Sequence, residues 1–169
     1  MGTLFQGPIK NYGIATLSVI VTALLGSHFT SESVQTEWYD CVRPSWSPPN
    51  VVFPIAWSIL YLLLALSFGL SLERRYRLES AFILNLCLNV AWCYLFFSKK
   101  ALQASLGTII ALLGTIWFII YKTGWQRENG LIIAALMIPY ALWISFASIL
   151  NWQALQNVSK CQNTSADRR

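Results

Sequence analysis

Residues 101–121 read ALQASLGTIIALLGTIWFIIY, and no charged side chain lies between Lys100 and Lys122. A helix needs about twenty consecutive, mostly apolar residues to cross the hydrocarbon core of a bilayer. A water-soluble helix would instead carry charged or polar residues along one face. The stretch therefore predicts a transmembrane helix.

The same pattern recurs along the chain. Its twelve Lys and Arg and seven Asp and Glu residues are clustered. Between the clusters lie five uncharged stretches, at 11–31, 44–72, 80–98, 101–121 and 129–159. One such stretch is compatible with a soluble helical core, but five in succession argue against it. We predict an all-α, multi-pass integral membrane protein with helices at about 10–29, 51–72, 79–98, 101–122 and 130–152.

Most connections between the predicted helices are short, which makes neighbouring helices antiparallel. Residues 10–152 are therefore predicted to form one bundle of five transmembrane helices, with a structured loop at about 30–50 between helices one and two. Residues 1–9 are predicted to be a flexible amino terminus, within which LFQGP resembles a picornaviral 3C protease site used to remove purification tags. Residues 153–169 are predicted to be a polar, mobile tail.

The net charge of +5 comes from residues at the ends of the predicted helices. They do not form a basic patch interleaved with aromatic residues, so no nucleic-acid partner is expected. We interpret them as anchors in the lipid bilayer surface. Six lie on the amino-terminal side and six on the other, or four if Arg168 and Arg169 are discounted. The positive-inside rule then favours a cytoplasmic amino terminus.

No metal site, cofactor or acid–base catalytic constellation is predicted. The cysteines at 41, 87, 93 and 161 lack CxxC or metal-ligand spacing. We interpret Cys87 and Cys93 as small apolar residues of helix three. The single histidine, His28, has no Cys or His neighbour and no surrounding nucleophile elbow.

Polar and aromatic residues share one face on three of the predicted helices. On helix three, Asn85, Asn89, Trp92 and Phe96 fall at i, i+4, i+7 and i+11. Similar stripes are Pro54, Trp57, Tyr61 and Leu64 on helix two, and Tyr140, Trp143, Ala147 and Asn151 on helix five.

An asparagine in hydrocarbon is costly unless it faces protein or a cavity, so these faces are predicted to point inward. Two interpretations remain open. One is interhelical packing and hydrogen bonding. The other is a cavity for a flat, mostly apolar ligand.

Residues 38–50 read WYDCVRPSWSPPN, and their prolines make the segment neither a good helix nor a good strand. We predict an irregular lid at the membrane surface. Two roles are weighed for Arg43: contact with a lipid phosphate, or with a carboxylate of a ligand.

Three motifs resemble those of one known family. Residues 38–49 are similar to the WY-x3-[KR]-P-S-W-x-P-P signature of the translocator proteins, also called tryptophan-rich sensory proteins or peripheral-type benzodiazepine receptors (TspO/MBR). Residues 89–97 (NVAWCYLFF) resemble the family's N-W-A-W…FF motif. Residues 139–147 (PYALWISFA) with Asn151 resemble its P-Y-x-x-W-x-x-F-A…N motif.

The resemblance implies a five-helix bundle, often homodimeric, with a cavity beneath the first loop. In the family this cavity binds porphyrins such as protoporphyrin IX and synthetic flat ligands, and animal members also bind cholesterol. Some bacterial members degrade protoporphyrin in light, and Trp57 and Trp143 match the tryptophans associated with that activity. The ligand-binding residues implied for this chain are Trp38, Tyr39, Trp57, Asn89, Trp92, Trp143, Phe146 and Ala147.

The chain also departs from the family pattern. Val51 and Val90 stand where the family has tryptophans, and Cys93 stands where it has proline. The pocket floor and its ligand preference are therefore expected to differ. At the family's cholesterol motif the tyrosine position is Trp152, and the next basic residue is Lys160. Since such motifs are weak in any case, cholesterol is not expected as a ligand.

Three functions are weighed. The first is a membrane receptor or sensor that binds porphyrins, haem-related tetrapyrroles or other flat apolar molecules as ligands, in tetrapyrrole or stress regulation. The second is an enzyme that degrades porphyrins with light and oxygen through Trp57 and Trp143. The third is a porphyrin or lipid transporter. It ranks last, because the spans carry no charged residue to couple an ion gradient and no inverted repeat.

Overall fold

The computed structural model describes residues 6–124 and 130–166. Within these residues there are helices and no strand. A 3₁₀ turn at Ser33–Gln35 precedes the second helix, and a π-helical turn at Tyr94–Ser98 extends the fourth. The α-helices are α1 Gln6–Ser31, α2 Glu37–Val42, α3 Val52–Glu73, α4 Glu79–Cys93, α5 Leu102–Gly124 and α6 Gly130–Ala166.

Five of these helices, α1 and α3 to α6, are long and apolar enough to cross a membrane. This confirms the predicted five-helix, multi-pass membrane bundle. α1 packs against α3 and α4, and α6 packs against α5 and α3. Leucines such as Leu62 and Leu142, each more than 60% exposed, point away from the bundle. Such outward apolar residues are stable in lipid rather than in water.

The predicted bounds of α3, α4 with its π turn, and α5 agree with the structure to within two residues. The two chain ends contain more helix than the predicted spans. Residues 6–9 belong to α1, and residues 153–166 continue α6. Residues 1–5, 125–129 and 167–169 lie outside the described residues.

The segment between α1 and α3, residues 32–51, is called the lid below. Its first part is more regular than predicted, because Glu37–Val42 forms the helix α2. Thr36 caps this helix by accepting a hydrogen bond from the Tyr39 backbone N–H at 3.3 Å. The prolines begin only at Pro44. Arg43, which precedes it, adopts an extended conformation with ψ 140° and ends the helix.

The end of α4 is widened by the π turn. The Lys99 N–H donates to the Tyr94 carbonyl at 2.9 Å, five residues back. Phe96 and Phe97, both in this turn, are buried beneath the lid. Lys100 has a φ of 54°, a left-handed conformation that separates α4 from α5. π turns within helices are frequent at functional sites.

A disulfide joins the lid to the end of α6. It links Cys41 on α2 to Cys161 on α6, 120 residues later, with 6.0 Å between their Cα atoms. The Asn157 side-chain amide also donates to the Val42 carbonyl at 3.1 Å. The helical continuation of α6 beyond the predicted span therefore fixes one side of the lid.

Candidate functional site

A cavity of about 550 Å³ lies between the lid and the bundle. Its size falls within the roughly 300–1,000 Å³ of typical small-molecule pockets. The carboxyl-terminal half of α1, the lid, the amino-terminal half of α3, the end of α4 and the middle of α6 surround it. Residues that line it include Gly26, Thr30, Tyr39, Arg43, Phe53, Trp57, Tyr61, Trp92, Cys93, Phe96, Phe97, Trp143, Ala147 and Asn151.

Aromatic rings form two walls of this cavity. On α3, Trp57 packs against Tyr61 one helical turn away, with 5.2 Å between ring centres. On the α6 side, Trp143 lies edge-to-face with Phe53 at 5.8 Å. Phe53, Trp57 and Tyr61 follow one another at i, i+4 spacing, so their rings lie along the same face of α3 and form a continuous aromatic wall.

The lid is packed onto the end of α4 by aromatic contacts. Trp38 lies 6.1 Å from Phe96, and Tyr39 lies 6.0 Å from Phe97, between ring centres. The Lys100 ammonium lies 5.0 Å from the Trp38 ring centre, a cation–π contact. Burial raises the pKa of the Tyr39 phenol above its ordinary value, although Arg43 opposes the shift. Tyr39 is therefore a neutral wall residue at physiological pH.

The roof of the cavity contains one cation, Arg43. Its guanidinium donates to the Asn50 side-chain oxygen at 3.1 Å and lies 3.9 Å from the Asp40 carboxylate. A guanidinium has five N–H donors. The long and exposed Asp40 contact leaves most of them available to an anionic group of a ligand.

The Trp143 indole N–H is buried in the cavity wall without a hydrogen-bond partner. Buried polar groups are nearly always hydrogen-bonded, and each exception needs a physical reason. The N–H itself is fully buried, so an acceptor atom in the cavity would reach it only after the ring or its neighbours move.

The Trp92 indole N–H, by contrast, already has a hydrogen-bond partner. Its N–H donates to the Asn151 side-chain oxygen at 3.0 Å. The same oxygen accepts from the Ser105 hydroxyl at 3.0 Å, and the Asn151 amide donates to the Leu102 carbonyl at 3.0 Å. Trp92 therefore offers a ligand its ring face but not its N–H.

A chain of hydrogen bonds lies beneath the cavity. Tyr61 donates to Asn89 at 3.1 Å, and the Asn89 amide donates to Tyr140 at 3.0 Å. Tyr140 donates to Asn85 at 3.2 Å, and the Asn85 amide donates to Thr115 at 2.8 Å. The chain joins α3, α4, α6 and α5, and starts at a residue that lines the cavity.

The inward faces contribute both to hydrogen bonds between helices and to the lining of the cavity. Asn85 and Asn89 are fully buried and connect helices, as packing requires, whereas Asn151 connects helices and also lines the cavity. Among the predicted ligand-binding residues, the cavity lining includes Tyr39, Trp57, Trp92, Trp143 and Ala147.

The other three predicted residues lie one layer back. Trp38 packs behind Phe96, Asn89 lies beneath Tyr61, and Phe146 packs on Trp143 at 5.6 Å and on the lid residue Trp46 at 6.0 Å. They support residues of the lining rather than forming it.

One wall of the cavity, formed by α1, was not predicted from the sequence. α1 contributes Gly26, Ser27 and Thr30 to the cavity. A Cβ at Gly26 would lie 3.4 Å from the Cys93 sulfur, an ordinary van der Waals distance, so α1 packs directly against α4 here. The available signal was the run of small residues at 26, 27 and 30 in an otherwise aliphatic helix.

The cavity lining contains few titratable side chains. They are Tyr39, Arg43, Tyr61 and Cys93. In the described part of the chain, no group of three His, Cys, Asp or Glu side chains lies close enough to hold a metal ion. The lining is mostly aromatic and apolar, and Arg43 contributes a cation under the lid.

Comparison with known proteins agrees with this architecture. The model of the TspO/MBR family matches residues 14–156. The tryptophan-rich protein TspO of Archaeoglobus fulgidus is 37% identical over 142 residues, covering 80% of this chain and 89% of the relative. The tryptophan-rich sensory protein of Cereibacter sphaeroides is 30% identical over 126 residues, covering 71% and 76%. The human translocator protein is 26% identical over 147 residues, covering 81% and 83%.

Proposed function

This chain belongs to the TspO/MBR family, and from that premise we propose that it is a membrane receptor for porphyrins such as protoporphyrin IX. Haem-related tetrapyrroles and other flat apolar molecules form the wider ligand class. The receptor acts in tetrapyrrole or stress regulation, and the porphyrin is a ligand rather than a cofactor.

The aromatic cavity roofed by Arg43 is the observation that carries this proposal. A tetrapyrrole presents a flat π surface for Trp57 and Phe53, and its propionates provide an anion for Arg43. A purely aliphatic ligand would offer Arg43 no anionic partner.

Binding of protoporphyrin IX to the purified protein tests the proposal. We expect the porphyrin to quench tryptophan fluorescence saturably and to shift its own absorption band in the dark. Replacement of Trp57 by Leu should weaken both signals by removing a wall ring. Replacement of Trp117 by Leu, which removes an exposed ring on α5, is the matched control. If protoporphyrin IX did not saturably quench the tryptophan fluorescence of the unaltered protein, the proposal would be wrong.

A second function, light- and oxygen-dependent degradation of the bound porphyrin, is favoured by one specific contact. Trp57 lies in the cavity wall and touches both Tyr61 and Tyr140, with ring centres 5.2 and 6.2 Å apart. These are oxidisable rings adjacent to the proposed porphyrin. If the complex loses its porphyrin absorption under light and oxygen, and the Trp57→Phe and Trp143→Phe variants do not, the protein is an enzyme. A stable spectrum leaves it a receptor.

A further inference from the structure

The two sides of the lid are held differently. On one side, the Cys41–Cys161 disulfide joins α2 to α6. On the other side, the Ser33 hydroxyl donates to the Phe97 carbonyl at 2.9 Å, and Lys100 lies over Trp38. Hydrogen bonds and ring contacts of this kind open and close by thermal motion, whereas a disulfide does not.

Movement of the lid changes the cavity directly, because Tyr39, Arg43 and Pro44 of the lid form its roof. Cys41 lies on the same short helix as Tyr39, and Arg43 follows that helix. While the disulfide is intact, α2 cannot separate from α6, and the roof stays next to the part of α6 that lines the cavity.

The disulfide is also placed where a reagent can reach it. Cys41 is exposed on the lid surface, and Cys161 is partly exposed. Susceptibility to thiol–disulfide exchange depends on such access to a sulfur atom.

We propose that the Cys41–Cys161 disulfide is a thiol–disulfide exchange site that controls access to the cavity. A dithiol reductant attacks one of the two sulfurs through a thiolate, and the S–S bond breaks to give a mixed disulfide and one protein thiol. The second thiol of the reductant then displaces the remaining sulfur. Two electrons and two protons pass to Cys41 and Cys161, and the reductant leaves as its own disulfide.

The reduced lid, held by non-covalent contacts alone, opens more often and exchanges ligand faster. The oxidised lid retains the ligand. This inference rests on the proposed function, because it assumes that the cavity binds a ligand. Its test needs no porphyrin.

Cys93 provides the readout, because it is buried and lines the cavity. Cys87, the other free cysteine, is exposed on α4 and is first replaced by Ala. The rate at which a maleimide modifies Cys93 is then compared with and without Cys41→Ser and Cys161→Ser, with labelling assigned by peptide mass spectrometry. We expect Cys93 to react about tenfold faster or more in the protein without the disulfide, since opening of the lid limits the reaction.

Equal rates would overturn the proposal. Asn157→Ala, which removes the neighbouring hydrogen bond but keeps the disulfide, is the matched control and should accelerate labelling much less. If Asn157→Ala accelerated Cys93 labelling as much as loss of the disulfide does, the disulfide would not be the contact that keeps the lid closed. If the variant without the two cysteines does not fold, the disulfide of the Cys87→Ala protein is reduced with a phosphine, which is removed before labelling. The rate of Cys93 labelling is then compared between the reduced and the oxidised protein. Failure of porphyrin to bind would leave the labelling result unaffected.

Discussion

The two cavity tryptophans Trp92 and Trp143 differ in a way that no sequence motif reveals. Both stand in family motifs and both line the cavity. The Trp92 N–H is satisfied by Asn151, which lies 59 residues away in the chain, whereas the Trp143 N–H has no partner. The motifs therefore predicted that these rings face inward, but the state of each N–H depends on tertiary contacts and could not be predicted.

Replacing Trp143 by Phe should weaken protoporphyrin IX binding, because the smaller ring leaves less of the cavity wall in contact with the ligand. In the empty protein the change also removes a buried donor without a partner, which offsets part of the packing lost against Phe53 and Phe146. We expect a roughly threefold to tenfold rise in Kd, measured by absorbance titration.

Trp117→Phe, an exposed position on α5, is the control and should change neither quantity. An unchanged Kd for Trp143→Phe would show that this ring does not contact the porphyrin.

At the scale of the helices, spacing along the chain predicted more than composition did. The i, i+4, i+7 stripes placed Asn85, Asn89 and Asn151 inside the bundle, and all three are at most 1% exposed. Their hydrogen bonds cross between helices, so the stripes on α4 and α6 correctly indicated facing surfaces. The contribution of α1 was not predicted, because small residues at 26, 27 and 30 give no comparable polar or aromatic signal.

The hydrogen-bond chain beneath the cavity should make a measurable contribution to stability. Tyr140 accepts from Asn89 and donates to Asn85, so Tyr140→Phe leaves both amides short of a partner. We expect the free energy of unfolding to fall by roughly 0.5–2 kcal/mol, the range for buried and intramembrane hydrogen bonds.

Thermal unfolding in one detergent, with Tyr94→Phe as a more exposed tyrosine control, measures the difference. If both variants unfold at the temperature of the unaltered protein, the chain contributes no net stability.

The helix α2 was not predicted, and its cap explains why it forms. The prediction of an irregular segment at residues 38–50 was based on its prolines, but these begin only after Val42. In the first turn of α2, the Thr36 side chain accepts a hydrogen bond from a backbone N–H. Thr36→Ala should cost about 1 kcal/mol locally. We expect faster hydrogen exchange of the amides of Trp38 to Val42, with exchange in α5 unchanged. Equal exchange rates in α2 would mean that the disulfide and packing alone hold this helix.

At the scale of the whole molecule, five uncharged runs were sufficient to predict the bundle, because crossing a bilayer imposes a length and an apolar composition that sequence displays directly. The disulfide was not predicted. Four cysteines allow three complete pairings, and Cys161 had been placed in a mobile tail. Its true position depends on α6 continuing as a helix past residue 152.

The disulfide and the charges indicate the same orientation. Because disulfides persist in oxidising compartments, we predict that the lid lies on the non-cytoplasmic side. Arg74, Arg75 and Arg77 lie at the opposite end of the bundle, which the positive-inside rule then predicts to be cytoplasmic.

Single cysteines in a cysteine-free chain test this orientation in intact bacterial cells. A membrane-impermeant maleimide should label the Ser98→Cys variant, whose residue lies near the lid, before lysis. It should label Glu79→Cys, at the other end of α4, only after lysis. The reverse pattern would place the lid in the cytoplasm.

The 120 residues between the two linked cysteines also set an order of events during biosynthesis. A chain leaves the ribosome from its amino terminus, so Cys41 is made early and waits while the four remaining spanning helices are synthesised and inserted. Its partner emerges only after α6 has crossed the bilayer. A polypeptide stalled or cleaved before that point retains an unlinked lid and a free Cys41, and cellular quality control can distinguish it chemically from a finished bundle.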